Sequence, residues 1–171
     1  MFSDISIQIK SGEKIALVGP NGIGKTTLFR ILLGDLSLDR GEVTRCRGLK
    51  IGYLPQEVEL DKSWTLLDEV VDAFSHLLEM SERIEKLEHQ IAAGEADKAA
   101  MTEYGHVQER FEREGGFTYQ SRMDEVLQGL GFLEEEYHKP LSLFSGGEKS
   151  RAYLAKLLLT EPDILLLDEP T

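Results

Sequence analysis

Ile15-Ala16-Leu17-Val18 is a short apolar run that leads directly into Gly19-Pro20-Asn21-Gly22-Ile23-Gly24-Lys25-Thr26, and a helical pattern runs from Thr26 to Leu33. No other stretch limits the possible folds so strongly. A run of that length reads as a strand buried on both faces. A segment of the form G-x-x-x-x-G-K-T between such a strand and a helix is a phosphate loop. Each part has a physical reason. The glycines let the backbone curl so that successive N–H groups point inward at anionic oxygens. The helix that follows adds the positive end of its dipole. Lys25 supplies a mobile cation for the β- and γ-phosphates, and the Thr26 hydroxyl is an oxygen ligand for Mg²⁺.

The remaining patterns divide the chain. Ile5, Ile7 and Ile9 alternate with polar residues, so Ser3 to Gln8 reads as a half-buried strand. Strands are also expected at Lys14 to Val18, Gly41 to Thr44 and Leu49 to Leu54, the last one broken by Pro55. Thr65-Leu66-Leu67-Asp68 has the form of a capping box, so a helix should start there. Leu77, Met80, Ile84, Leu87 and Ile91 then follow a heptad seam. After a break at Ala92-Ala93-Gly94, Met101, Tyr104, Val107 and Phe111 share a second helical face. The two stretches read as an antiparallel helical hairpin, with one kinked helix as the alternative. A further helix is expected from Ser121 to Leu130, and another opens at Ser145-Gly146-Gly147-Glu148. The apolar run Ile164-Leu165-Leu166-Leu167 reads as a doubly buried strand that ends in Asp168-Glu169.

Those two carboxylates gain meaning from the phosphate loop. At the C-terminal edge of a strand beside such a loop, Asp168 is placed to join the Mg²⁺ shell, and Glu169 to polarise a water for attack on the γ-phosphate. Ser145 to Glu148 carries two compatible readings. S-x-x-E is a capping box, and a helix start with exposed N–H groups and a serine hydroxyl is also an anion site.

Composition removes other classes. The 171 residues carry 19 Lys and Arg against 31 Asp and Glu, a net charge of −12, which opposes broad binding to nucleic acid. The single cysteine, Cys46, rules out an intrachain disulfide and a thiolate metal cluster. Met1 to Lys14 has no signal-peptide pattern, and no apolar run reaches the ~18 residues of a membrane span. A cytoplasmic protein without direct membrane insertion is expected, and no DNA partner.

Taken together, Gly19 to Thr27, Phe144 to Glu148 and Leu165 to Thr171 resemble the ATP-binding cassette (ABC) superfamily. The resemblance covers nearly the whole chain and implies an α/β fold of the P-loop NTPase type. Residues 1–64 and 141–171 would form the nucleotide-binding core, and 65–140 an inserted helical subdomain with an arm-like hairpin at about 76–114. It implies ATP hydrolysis with ATP and Mg²⁺. Gly19, Pro20, Asn21, Gly22, Ile23, Gly24, Lys25, Thr26 and Thr27 would hold the nucleotide. Ser145, Gly146 and Gly147 would face the γ-phosphate on a second cassette, in tandem or as a dimer. Gln56, in Tyr53-Leu54-Pro55-Gln56, stands where the family places its Q-loop glutamine, so Thr26, Gln56 and Asp168 would hold the metal. Glu169, Gln56 and Lys25 would carry catalysis.

The sequence departs from the family pattern at Phe144 for Leu and Glu148 for Gln. The family's D-loop and switch histidine have no counterpart up to Thr171, and Phe2 is a poor candidate for the aromatic that stacks on adenine. The strand carrying the switch histidine lies between the phosphate-loop strand and the Asp168 strand in this fold. Its absence would leave the central hydrogen-bonding slot of the sheet unfilled, so the chain is expected to be part of a longer protein.

Gln56 and Ser145 stand 89 positions apart, more than in typical transporter cassettes. The extra length coincides with the hairpin and resembles the first cassette of ABC-F proteins, soluble tandem cassettes of which many act on the ribosome. The ribosome is therefore a candidate partner. From Glu79 to Glu114 there are ten acidic residues but only five basic ones (Arg83, Lys86, Lys98, Arg110, Arg113), which does not favour an RNA reader. The alternatives are the ATP-binding subunit of a membrane transporter and a DNA-repair cassette with a coiled-coil insert, which is usually far longer.

Overall fold

Thr65 caps the helix that starts the apolar core. Its hydroxyl accepts the Asp68 backbone N–H at 3.2 Å, and the Asp68 carboxylate accepts the Thr65 N–H at 2.8 Å. This reciprocal box opens α2 (Leu66–Val71), which runs through a 3₁₀ turn at Asp72–Phe74 into the long α3 (Ser75–Ala92). The computed structural model describes residues 5–169. Phe2, the first two residues of the expected N-terminal strand, and Pro170-Thr171 of the last motif lie outside the described residues.

The chain turns at Gly94, and α4 (Lys98–Arg113) comes back along α3. Arg83 donates to Glu103 through two bonds of 2.7 Å, and the Tyr104 hydroxyl donates to Glu88 at 3.0 Å. His76 lies 3.7 Å from Glu114. His76 meets Glu114 at the end far from the turn, while Arg83 and Glu88 meet Glu103 and Tyr104 nearer to it, so the two helices are antiparallel rather than one kinked rod. Leu77, Leu87 and Phe111 of the expected seams are buried, whereas Met101, near the start of α4, is exposed.

Next come α5 (Tyr119–Gly129) and α6 (Gly146–Leu159). Leu66, Val70, Phe74 and Leu77 meet Met123 and Leu127 of α5 and Ala152, Ala155 and Leu159 of α6 in one core, closed by Phe132, Tyr137, Leu141 and Phe144. The two alanines let α2 approach α6 closely. Inside that contact Lys156 lies 2.9 Å from both Glu69 and Asp72, with its amine 5.8 Å from the Trp64 ring. Burial alone would lower the Lys156 pKa, but its bonds to Glu69 and Asp72 outweigh that and raise it.

Two strands, β1 (Ile51–Leu54) and β2 (Ile164–Leu167), pair in parallel with Ile51 opposite Ile164 and Leu54 opposite Leu167. The connection between them is α2 to α6, as a parallel pair requires a crossover. The result is a mixed α/β P-loop NTPase fold with helical insertions.

The strands expected at 5–8, 14–18 and 41–44 do not form among the described residues. The physical reason is pairing: a strand's backbone groups need a neighbouring strand. β2 is paired on the side that faces β1, and no described residue supplies a strand that could join Lys14–Val18 to it. Ile5, Ile7, Ile9 and Ile15 are accordingly exposed, and Val18 is 94% exposed.

Candidate functional site

The loop before α1 (Lys25–Leu33) closes without a strand partner. Gly22 and Gly24 have φ of 80° and 106°, left-handed values that L-residues with a Cβ rarely take. They turn the chain into α1, where Leu28 N–H bonds back to Gly24 at 3.0 Å. The helix expected over Thr26–Leu33 is therefore present, and Gly34 ends it in the left-handed region at φ 93°. The Lys25 amine folds back over the loop and donates to the carbonyls of Gly19 at 3.0 Å and Pro20 at 3.4 Å. Ile23 N–H bonds to the Pro20 carbonyl at 3.3 Å.

The end of β2 delivers two carboxylates to this loop. Asp168 N–H donates to the Leu54 carbonyl at 2.9 Å, which fixes the residue just past the last ladder pair. Its side chain is buried, and Oδ2 accepts the Thr26 hydroxyl at 2.6 Å and the Tyr53 hydroxyl at 3.3 Å. Glu169 takes a positive φ of 52°. That conformation costs a non-glycine residue roughly 1–2 kcal/mol. The turn sends its carboxylate to the Lys25 amine at 3.4 Å and the Gln56 amide at 3.0 Å. Lys25, Thr26, Gln56, Asp168 and Glu169 thus converge, although up to 142 positions separate bonded partners.

Tyr53 is the member that the sequence reading missed. Burial and then the Asp168 charge hold its hydroxyl above the usual phenol range. One signal was available: on β1, Gly52 and Leu54 are the buried alternates, which turns Tyr53 to the face of Phe29 on α1, 6.2 Å away between ring centroids.

Ser145, Gly146 and Gly147 stand apart from that cluster. They open α6, where the Ser145 N–H and hydroxyl both donate to Glu148 Oε2, at 2.7 and 2.6 Å. Glu148 N–H returns a bond to the Ser145 hydroxyl at 3.3 Å. The Ser145 side-chain and backbone bonds, then that of Lys139, pull the Glu148 carboxyl down to about 2. Farther along α6, Arg151 and Leu154 line a cleft of about 50 Å³ with Gln56, Asp168 and Glu169, a space for a few waters beside the carboxylates.

A hard cation suits these donors. Asp168 and Thr26 offer adjacent oxygens, while the described residues contain no group of three His, Cys, Asp or Glu arranged to hold a metal. Mg²⁺ takes few protein ligands and completes its shell with phosphate and water, so this sparse set fits it when a nucleotide is present.

Comparison with known proteins places the chain in a family. The family model described as ABC transporter matches residues 2–171. The tylosin resistance ATP-binding protein TlrC of Streptomyces fradiae is 37% identical over 174 residues, covering 100% of this chain and 32% of TlrC. The ABC transporter F family member 5 of Arabidopsis thaliana is 35% identical over 176 residues, covering 100% of this chain and 25% of that protein. Among solved structures, a complex of the archaeal ribosomal stalk protein aP1 with the archaeal ribosome recycling factor aABCE1 aligns at a TM-score of 0.58 and 28% identity. That match covers 95% of this chain and 23% of the other. The chain spans a third or less of the length of these curated relatives. Among the described residues, no helix is long and apolar enough to cross a membrane.

Proposed function

We propose, from the premise that this chain belongs to the ABC transporter family of ATP-binding cassettes, that it serves an ABC-F type protein whose ATP cycle is read out on the ribosome. Binding and hydrolysis of ATP by an ABC-type cassette is the coarse function. The observation that carries the site assignment is the meeting of Lys25, Thr26 and Gln56 with Asp168 and Glu169.

The chemistry follows from those residues. The loop amides and Lys25 hold the β- and γ-phosphates. Thr26, Asp168 and Gln56 would hold Mg²⁺, which neutralises phosphate charge when bound. A phosphate in the loop competes for the Lys25 amine that now lies against Glu169. Glu169 then keeps the Gln56 amide as its partner and takes the proton of the attacking water. Ser145, Gly146 and Gly147 face the γ-phosphate held by a second cassette, so closure of the two excludes other water from the reaction.

The antiparallel α3–α4 hairpin between β1 and α6 supports the ABC-F assignment, as does likeness to an F family member. Several of its acids are already paired, Glu82 with Lys86, Glu103 with Arg83 and Glu114 with Arg110. The net charge of the hairpin still favours a protein surface over an RNA backbone as its contact.

Glu169→Gln in the full-length protein tests both levels. Turnover is expected to fall by roughly 10²–10⁴, the worth of a positioned base, while ATP still binds. Lys25→Ala should weaken ATP binding itself by roughly 10–100-fold. Undiminished turnover in Glu169→Gln removes Glu169 from the base role. Co-sedimentation of that variant with ribosomes should rise when ATP is added, and equal sedimentation with and without ATP overturns the ribosomal assignment.

A further inference from the structure

The Glu148 carboxylate, bonded to Ser145, sets a negative charge beside the serine and amides that must receive a terminal phosphate. We propose that Lys139 is a positioning residue that answers this charge, keeping the start of α6 receptive to the γ-phosphate of ATP. The inference rests on the composite ATP site proposed above and assigns it a further residue.

The geometry divides the Glu148 carboxylate between two tasks. Oε2 accepts both bonds from Ser145, while Oε1 lies 3.3 Å from the Lys139 amine. Lys139 is held for this contact along its whole length. Its N–H donates to the Glu136 carbonyl at 2.9 Å, and its own carbonyl accepts the Leu66 N–H at 3.2 Å, which ties it to the first turn of α2. Its amine lies 4.6 Å from the centroid of the Phe144 ring, and Phe144 fills the position just before Ser145. Among the described residues, the other carboxylate within 4 Å of that amine is Glu136, 3.9 Å away.

A helix start carries roughly half a positive charge. Glu148 alone would reverse that sign, and Glu136 would deepen the reversal. Lys139, nearer to Glu148 than to Glu136, offsets one of these charges, so the Ser145 hydroxyl and the Gly146 and Gly147 amides present a less repulsive end to an anion than they would without it. Because Glu148 also binds the Ser145 hydroxyl proton, the pull of Lys139 on Oε1 competes with the hold of Glu148 on Ser145. A phosphate that needs that proton meets a weaker competitor.

The test is steady-state ATP hydrolysis by the full-length protein, with KM and kcat measured separately for the wild type, K139M, K139R, E148Q and K139M/E148Q. K139M should raise KM for ATP by about 3–10-fold, and the increase should shrink as salt is added. K139R should stay near the wild type. E148Q should lower KM, because Gln still caps the helix without the charge. The double variant should return to the E148Q value, since the carboxylate that Lys139 answers is gone. A KM in K139M within twofold of the wild type overturns the inference. So does a double variant as impaired as K139M, the result expected if Lys139 only packs against Phe144. Absence of ATP turnover in the wild type would instead bring down the proposed ATP site, and the role of Lys139 with it.

Discussion

The chain before Ile51 and the chain after it obey different rules. No described residue before Ile51 is buried, although that segment contains the apolar run that leads into the phosphate loop. After Ile51, Leu66, Leu77, Leu87, Leu127, Leu141 and Val70 are the largest of the side chains below 2% exposed. The difference lies in how the backbone is satisfied. A helix bonds its own N–H and C=O groups, so α2 to α6 need only pack their apolar faces together. A strand leaves those groups to a neighbour, and among the described residues only β1 and β2 find one. The phosphate loop lies between these cases. Its glycine turns and α1 are local, so it takes shape and meets Asp168 and Glu169 while the strand before it has no partner.

The largest effect should come from the packed region. Leu127 is fully buried on α5 among residues of α2, α3 and α6. Leu127→Ala is expected to destabilise by roughly 2–5 kcal/mol through lost burial and the cavity left behind, measured as the denaturant midpoint. A loss under about 1 kcal/mol would mean that this core is as loosely held as the described residues before Ile51.

A second, smaller effect should come from the ion cluster that joins α2 to α6. Glu69 is buried, its one ionic partner among the described residues is the Lys156 amine, and Asp72 shares that amine. Lys156→Met keeps the stem but leaves the Glu69 carboxylate unpaired. Lys156 is partly exposed, so the expected loss is about 2–3 kcal/mol, below the ~3–5 kcal/mol of a fully enclosed pair. Lys156→Met/Glu69→Gln should recover much of it. If the single change proves harmless, the cluster does not hold α2 on α6.

How far the sequence reveals this molecule follows from the same contrast. Capping boxes at Thr65 and Ser145 and the Gly34 C-cap lie within a few residues of sequence, so they can be read directly, and each is present. The phosphate loop and Asp168-Glu169 are legible because their chemistry demands particular residue types in a fixed order. Tyr53 escaped because its role depends on the pairing of β1 with β2, which only the fold supplies. The Lys156 bond to Glu69 spans 87 positions and has no sequence pattern to announce it. The strands expected at 3–8, 14–18 and 41–44 rest on alternation and apolarity. Those features describe what a strand would bury, whereas pairing decides whether it forms.

The smallest effect is expected where that distinction is sharpest. Ile15 belongs to the apolar run before the phosphate loop, a sequence that reads as a doubly buried strand, yet it is 49% exposed. Ile15→Ser in this 171-residue chain should change stability by no more than about 0.5 kcal/mol, as for a surface site. Leu127→Ala in the same chain provides the scale. A loss at Ile15 approaching that of Leu127 would show that the segment before Gly19 is covered in solution and that its strand has a partner after all. A loss near zero at Ile15 beside a large one at Leu127 would establish pairing, rather than apolar content, as what separates the two halves of this chain.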